Sequence, residues 1–274
     1  HPVLTAIAVA CVDEIASGRV VLGMGAGMSG FKELGIKRKS PAVAIKEAVE
    51  IMRGVLTGKP LFYEGAVFKV SGARLSFKAR GDIPIYVAGR GPRVLETAGK
   101  VGDGAILGGF ASEESVNYAF DQIRRGADAA GRNWEDLDYV SWVYCSLSED
   151  GKEAKRVVKP IVAYLMEASE PVLERLGIQR EIADPVIKGL KELRKEGAFS
   201  LYSREMMELA SNLVSDKLVD KYSIAGTPEE CARKVRRLLR LGIKQIAILP
   251  FPLPGGKNED VMRLFAEEVI PQFK

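Results

Sequence analysis

The chain has 274 residues, 47% of them apolar and 28% charged, with a formal net charge of +4. That is enough length and apolar content for one large α/β domain with a substantial core, and it excludes a disordered chain. The longest apolar runs, such as IAILPFPLP at 246–254, fall well short of the roughly 20 residues of a membrane-spanning helix, and no signal-peptide pattern opens the chain, so a soluble cytoplasmic protein is expected.

The first residue is His1, not methionine, and the natural start is expected upstream. A helical pattern follows at once, with Leu4, Ile7, Ala8, Cys11 and Ile15 on one face. Residues 19–24 (RVVLGM) read as a buried strand that runs straight into Gly25, Gly27 and Gly30, a G-x-G-x-x-G spacing. A dinucleotide-binding fingerprint needs a helix opening at its last glycines and an acidic residue about 20 positions on, at the tip of a second strand. Here the chain continues FKELGIKRK, and the next helix (40–57) opens only at Ser40-Pro41, an N-cap followed by proline at the first helical position. Glu47 and Glu50, the acids at about the right distance, lie inside that helix. The glycines therefore need another cause.

Beyond them, 84–88 (PIYVA), 104–108 (GAILG), 138–146 (DYVSWVYCS) and 244–250 (KQIAILP) read as strands covered on both faces, being short, continuously apolar and mostly β-branched. Helices are expected at 92–100, 113–130, 151–167, in several pieces between about 171 and 222, at 227–241 and at 258–270. The helix at 227–241 opens with Thr227-Pro228-Glu229-Glu230, a capping box with proline in its first turn, and stops at Gly242. RKVRRLLR at 233–240 is basic, but Val235, Leu238 and Leu239 keep helical spacing there, which marks a solvated helix face and not a nucleic-acid patch. Cys11, Cys145 and Cys231 are odd in number and far apart, so they read as reduced apolar residues, with no disulfide framework and no metal site. With no repeat and no linker, residues 1–274 are expected to form a single domain.

Alternating strands and helices imply a parallel sheet, either open and doubly wound or closed as a (β/α)8 barrel. Glycines follow successive strands: Gly25 and Gly27, then Gly89 and Gly91, then Gly108 and Gly109. In a barrel such ends meet at one rim, where substrates bind. Arg90 to Arg93 lead into the first turn of a helix, whose N–H groups and positive dipole end favour a phosphate. The spacing alone equally allows a tight turn that simply needs glycine. Asp103, between Gly102 and Gly104, likewise reads as a turn residue at a strand entry.

The segments HPVLTAIAVACVDEIASGRVVLGMGAG, IPIYVAGRGPRVLETAGKVGDGAIL, GADAAGRNWEDLDY, VLERLGI and YSIAGTPEECARKV resemble the bacterial luciferase-like superfamily of flavin and deazaflavin enzymes. Within it they are most similar to the methylenetetrahydromethanopterin reductase family. The resemblance implies a (β/α)8 TIM barrel with a helical insertion, 151–222, before the last strand. It implies coenzyme F420 at the barrel mouth and direct hydride transfer between the deazaflavin and a methylene carbon of a pterin, without metal. An FMN-dependent monooxygenase and a non-catalytic flavin-binding relative are the alternatives within the superfamily. By position, Ala88, Gly89, Arg90, Gly91 and Pro92 would wrap the cofactor phosphate, Leu107, Gly108 and Gly109 would line the same pocket, and Gly25 to Met28, with Gly27, would approach the ring or substrate.

The family's first three strands supply an acidic residue near the ring and a non-prolyl cis peptide. This chain begins after both, so no catalytic carboxylate is named. Five strands do not close an eight-stranded barrel, so either roughly sixty further residues lie upstream, which is the favoured expectation, or a partner supplies the remaining strands. The loop PFPLPGGKN after the last strand departs from the reductases, and His1 reads as a helix-start residue. The expected partners are a small-molecule substrate and further copies of the chain in a homodimer or homotetramer, with neither nucleic acid nor membrane.

Overall fold

The computed structural model describes residues 1–27, 31, 34–37, 40–195, 200–201 and 203–273. They fall into two compact units, His1–Ile106 with Phe120–Asp138, and Leu107–Ala119 with Tyr139 onward.

The first unit opens with α1 (Pro2–Ile15), N-capped by His1, whose ring nitrogen accepts the Val3 N–H. This helix is apolar nearly all round, so periodicity does not decide which face turns inward. It buries Pro2, Ala6, Ala10 and Asp13, and leaves Leu4, Ala8, Cys11 and Ile15 of the expected face outside the core. The small buried side chains suit its packing on α2 (Pro41–Leu56). Asp13 accepts two hydrogen bonds from Arg80, at 3.0 and 2.9 Å, and one from the Val20 N–H, tying the end of α1 to the entry of β1 (Leu22–Gly25). The Arg80 guanidinium holds the Asp13 carboxyl below its usual range.

After α2 comes an antiparallel hairpin, β2 (Leu61–Glu64) with β3 (Lys69–Ala73), where no strands were expected. The chain then enters β4 (Ile85–Gly89), which pairs in parallel with β1 in the register Leu22↔Ile85 to Gly25↔Ala88. β5 (Gly104–Gly108) is the next neighbour of β4. Between β4 and β5 runs α3 (Pro92–Val101), and α4 (Glu113–Ala129) crosses it with backbones nearly touching. A Cβ on Gly99 would lie 2.0 Å from the Ile123 carbonyl, and one on Gly126 would lie 1.9 Å from that of Glu96.

The second unit is built on β6 (Asp138–Leu147), whose residues 140–145 pair in parallel with β8 (Gln245–Pro250) and 144–147 with β7 (Ser223–Gly226). β7 was not anticipated: four residues directly after a helix carry too little pattern to read. The expected helical stretch forms α5 (Gly151–Ala168), a 3₁₀ segment (Glu170–Leu176), α6 (Arg180–Lys195), α7 (Arg204–Leu213) and α8 (Asp216–Tyr222). α6, α7 and α8 all pack on α5. α9 (Pro228–Arg240) carries the capping box of Thr227 and Glu230, and Glu230 also accepts from Lys155 on α5 at 2.9 Å. α10 (Asn258–Leu264) runs on through a π-turn and a 3₁₀ turn to Phe273. Among the described residues no helix is long and apolar enough to cross a membrane.

Candidate functional site

In the first unit β1 and β4 run side by side and end together, and the expected glycines sit at those ends for different reasons. Gly25 faces Ala88 across the ladder, and a Cβ there would come within 3.3 Å of the Ala88 Cβ and carbonyl oxygen. Gly27 has φ +66°, a conformation that favours glycine. Gly89 lies under α3, where a Cβ would reach 2.4 Å from Val94 Cγ1. At Gly91, by contrast, an added Cβ would meet nothing within 4 Å among the described residues, and its φ of −74° suits any residue.

Gly91 is the N-cap of α3 and Pro92 its first residue. The N–H groups of Val94 and Leu95 bond to the Gly91 carbonyl at 3.1 Å. The other main-chain donors of the turn are the N–H groups of Gly91 and Arg93, because Pro92 has none. Arg90 is half-buried and Arg93 exposed, which adds positive charge to the helix dipole. An open space, backbone donors and a positive helix end together fit an anionic phosphate.

A cleft of about 400 Å³ opens at the end of β1. Its lining includes Met24, Gly25, Phe31, Lys37, Ile45 and Phe68. One wall is the tip of the hairpin, held by Glu47 of α2. That carboxylate, 5% exposed, accepts the N–H groups of Ala66, Val67 and Phe68 at 2.7, 2.9 and 2.9 Å. Gly65 precedes them because a Cβ there would lie 2.4 Å from the Glu47 carboxylate. Further along, Tyr63 donates to Glu50 at 2.6 Å, and its phenol is pushed up by burial and by that acceptor. His1 meets Phe68 edge-to-face at 5.6 Å.

Asp103 accepts from Arg53 at 2.7 Å and from the Ile85 N–H at 2.8 Å, which makes it a clamp at the entry of β4. In the second unit, Leu107 and Gly109 are buried and Gly108 is half-buried. Gly109 has φ +71° and donates to the Trp142 carbonyl at 2.7 Å. Met28 and Gly30 lie outside the described residues. The hairpin wall was missed in the sequence, although LFYEGAVFKV alternates about a Glu64-Gly65 turn and carries the signal.

The profile of the luciferase-like monooxygenase family matches residues 1–245. The chain belongs to this family. The luciferase-like chain is 32% identical, over 275 aligned positions, to 5,10-methylenetetrahydromethanopterin reductase of Archaeoglobus fulgidus, covering 100% of itself and 79% of that relative. The solved structure of the coenzyme F420-dependent tetrahydromethanopterin reductase of Methanopyrus kandleri superposes with a TM-score of 0.82 at 30% identity, with 100% and 80% of the two chains covered. The monooxygenase RslO1 of Streptomyces bottropensis, at 21% identity and a TM-score of 0.64 over 100% and 75% of the chains, shares the fold alone. The α/β architecture of mostly parallel strands with helices is thus that of the luciferase-like barrels, as the sequence led one to expect.

Proposed function

We propose that this protein is an F420-dependent oxidoreductase that passes a hydride between the deazaflavin and a pterin-type substrate of the methylenetetrahydromethanopterin kind. Likeness to reductases of that activity over the whole chain supports the reading. The observation in the chain itself that carries it is the open turn at Gly91, free of any packing demand for glycine, at the positive end of α3. In this reading the backbone from Ala88 to Pro92 holds the cofactor phosphate, with Arg90 as a supplementary charge. Gly25 and Gly27 keep the strand end low enough for the ring or substrate to approach. When bound, F420 supplies a carbon-centred hydride donor and acceptor. We also propose that the chain acts as one domain, in the cytoplasm, as a homodimer or homotetramer.

Titration of the purified protein with F420 and with FMN, followed by fluorescence, tests the cofactor. Saturable binding of F420 with weaker or no binding of FMN is expected. Preferential FMN binding would favour the monooxygenase reading instead, and binding of neither would overturn both. Mass spectrometry of any small molecule that copurifies gives an independent answer.

A further inference from the structure

We infer that the β2–β3 hairpin is a substrate-positioning arm: Phe68 at its tip is a wall against which a flat pterin ring lies, and Glu47 holds that wall in place. The inference rests on the proposed F420-dependent reading and deepens it.

The hairpin is a two-stranded ribbon apart from the parallel sheet, and such a ribbon is marginal unless something anchors it. Glu47 is that anchor. One buried carboxylate takes three successive main-chain donors, 66 to 68, and so defines the path of the tip. The tip is placed where it closes the cleft at the end of β1, with Phe68 and Val67 in its lining and His1 against the Phe68 ring. A volume of about 400 Å³ lies in the range of small-molecule sites. Two aromatic residues, Phe31 and Phe68, line it, and Lys37 is the one charged residue among the described lining residues. The two aromatic side chains offer stacking surface to the faces of a pterin ring, and Lys37 offers a positive charge to an anionic substituent of the same substrate. The phosphate-binding turn lies at the end of β4 instead, so the two ligands divide between neighbouring strand ends.

The test is calorimetric titration of wild type, Phe68→Ala, Phe68→Tyr, Glu47→Ala and the Glu47→Ala/Phe68→Ala double variant. F420 is titrated first, then 5,10-methylenetetrahydromethanopterin at saturating F420, with thermal melts to correct for the folded fraction. Phe68→Ala is expected to raise the pterin Kd about tenfold, with the F420 Kd unchanged and affinity kept in Phe68→Tyr. Glu47→Ala should raise the pterin Kd similarly, and the double variant should be no weaker than the weaker single variant, since Glu47 acts through Phe68. Should Glu47→Ala fail to fold, the Phe68 pair decides alone. An unchanged pterin Kd in folded Phe68→Ala, a parallel loss of F420 affinity, or fully additive effects would overturn the inference while leaving the cofactor reading intact. A wild type that binds neither ligand overturns that reading and the inference with it.

Discussion

A valine at position 89 would place its Cβ 2.4 Å from Val94 Cγ1, whereas at position 91 it would project into open space. These two glycines, two positions apart in the chain, separate the folding requirement from the proposed binding one. Val94 is β-branched and held at the start of α3, so it has little freedom to move aside. Gly89→Val should therefore lose about 1–3 kcal/mol in urea denaturation, the usual cost of overpacking. Gly91→Val should melt near the wild-type temperature yet bind F420 at least about tenfold more weakly, because it fills the opening to the turn. Unaltered F420 affinity in a folded Gly91→Val protein would remove the turn from the cofactor site. Arg90→Ala should weaken binding by about tenfold to a hundredfold, the worth of one charge-assisted hydrogen bond. The cysteines differ in the same way by position. Cys145 and Cys231 are buried, which pushes the Cys145 thiol well up and the Cys231 thiol up to about 12, while Cys11 is exposed. A thiol reagent at pH 8 should modify one cysteine in the native protein and all three, the full count in the sequence, in denaturant.

Among the elements, the α3–α4 crossing depends on having no side chains at two positions. Gly99 and Gly126 each bring a helix backbone against a carbonyl of the other helix. In an isolated helix, alanine in place of glycine is favourable by about 1 kcal/mol. Here the 1.9 Å approach to the Glu96 carbonyl reverses the sign. Gly126→Ala should destabilise the protein by about 1–3 kcal/mol or more in urea denaturation, through separation of the two helices. A stabilised Gly126→Ala protein would show that the helices part without cost. The hairpin teaches a related lesson. Its alternation was legible, but Glu47 read only as one residue of an amphipathic helix, because the partners of its carboxylate lie 19 to 21 residues further on.

At the scale of the whole molecule, acid should loosen both compact units. Asp13 in the first is held below its usual value by Arg80, and Glu230 in the second by Lys155. A carboxylate whose folded value is depressed adds stability above its unfolded value and loses it as pH falls through the folded one. For Glu230 the unfolded reference is 4.5, so the contribution is complete at pH 7 and shrinks below pH 4.5. Glu230→Gln should thus be less stable than wild type at pH 7, with the difference narrowing as the pH is lowered through that range. Chemical denaturation at pH 7, 5 and 4 measures it, and a constant difference would assign the loss to the capping box alone.

By itself the sequence determined the order of the helices and of five of the eight strands among the described residues, most of their boundaries to within a few residues, the cap of α9 and the glycine-ended strands of a luciferase-like α/β protein. These follow from local periodicity and turn chemistry, which act over a few residues. The tertiary structure decided what depends on distant partners. It turned α1 so that Ala6 and Ala10 face inward and Leu4 and Ile15 outward, since a helix apolar on all sides takes its orientation from its neighbour. It made Asp103 a clamp for Arg53 and the start of β4, and Glu47 the anchor of a hairpin. It also split the glycines into those that packing demands, such as Gly89 and Gly126, and Gly91, which packing does not, because only the space around a missing Cβ distinguishes them.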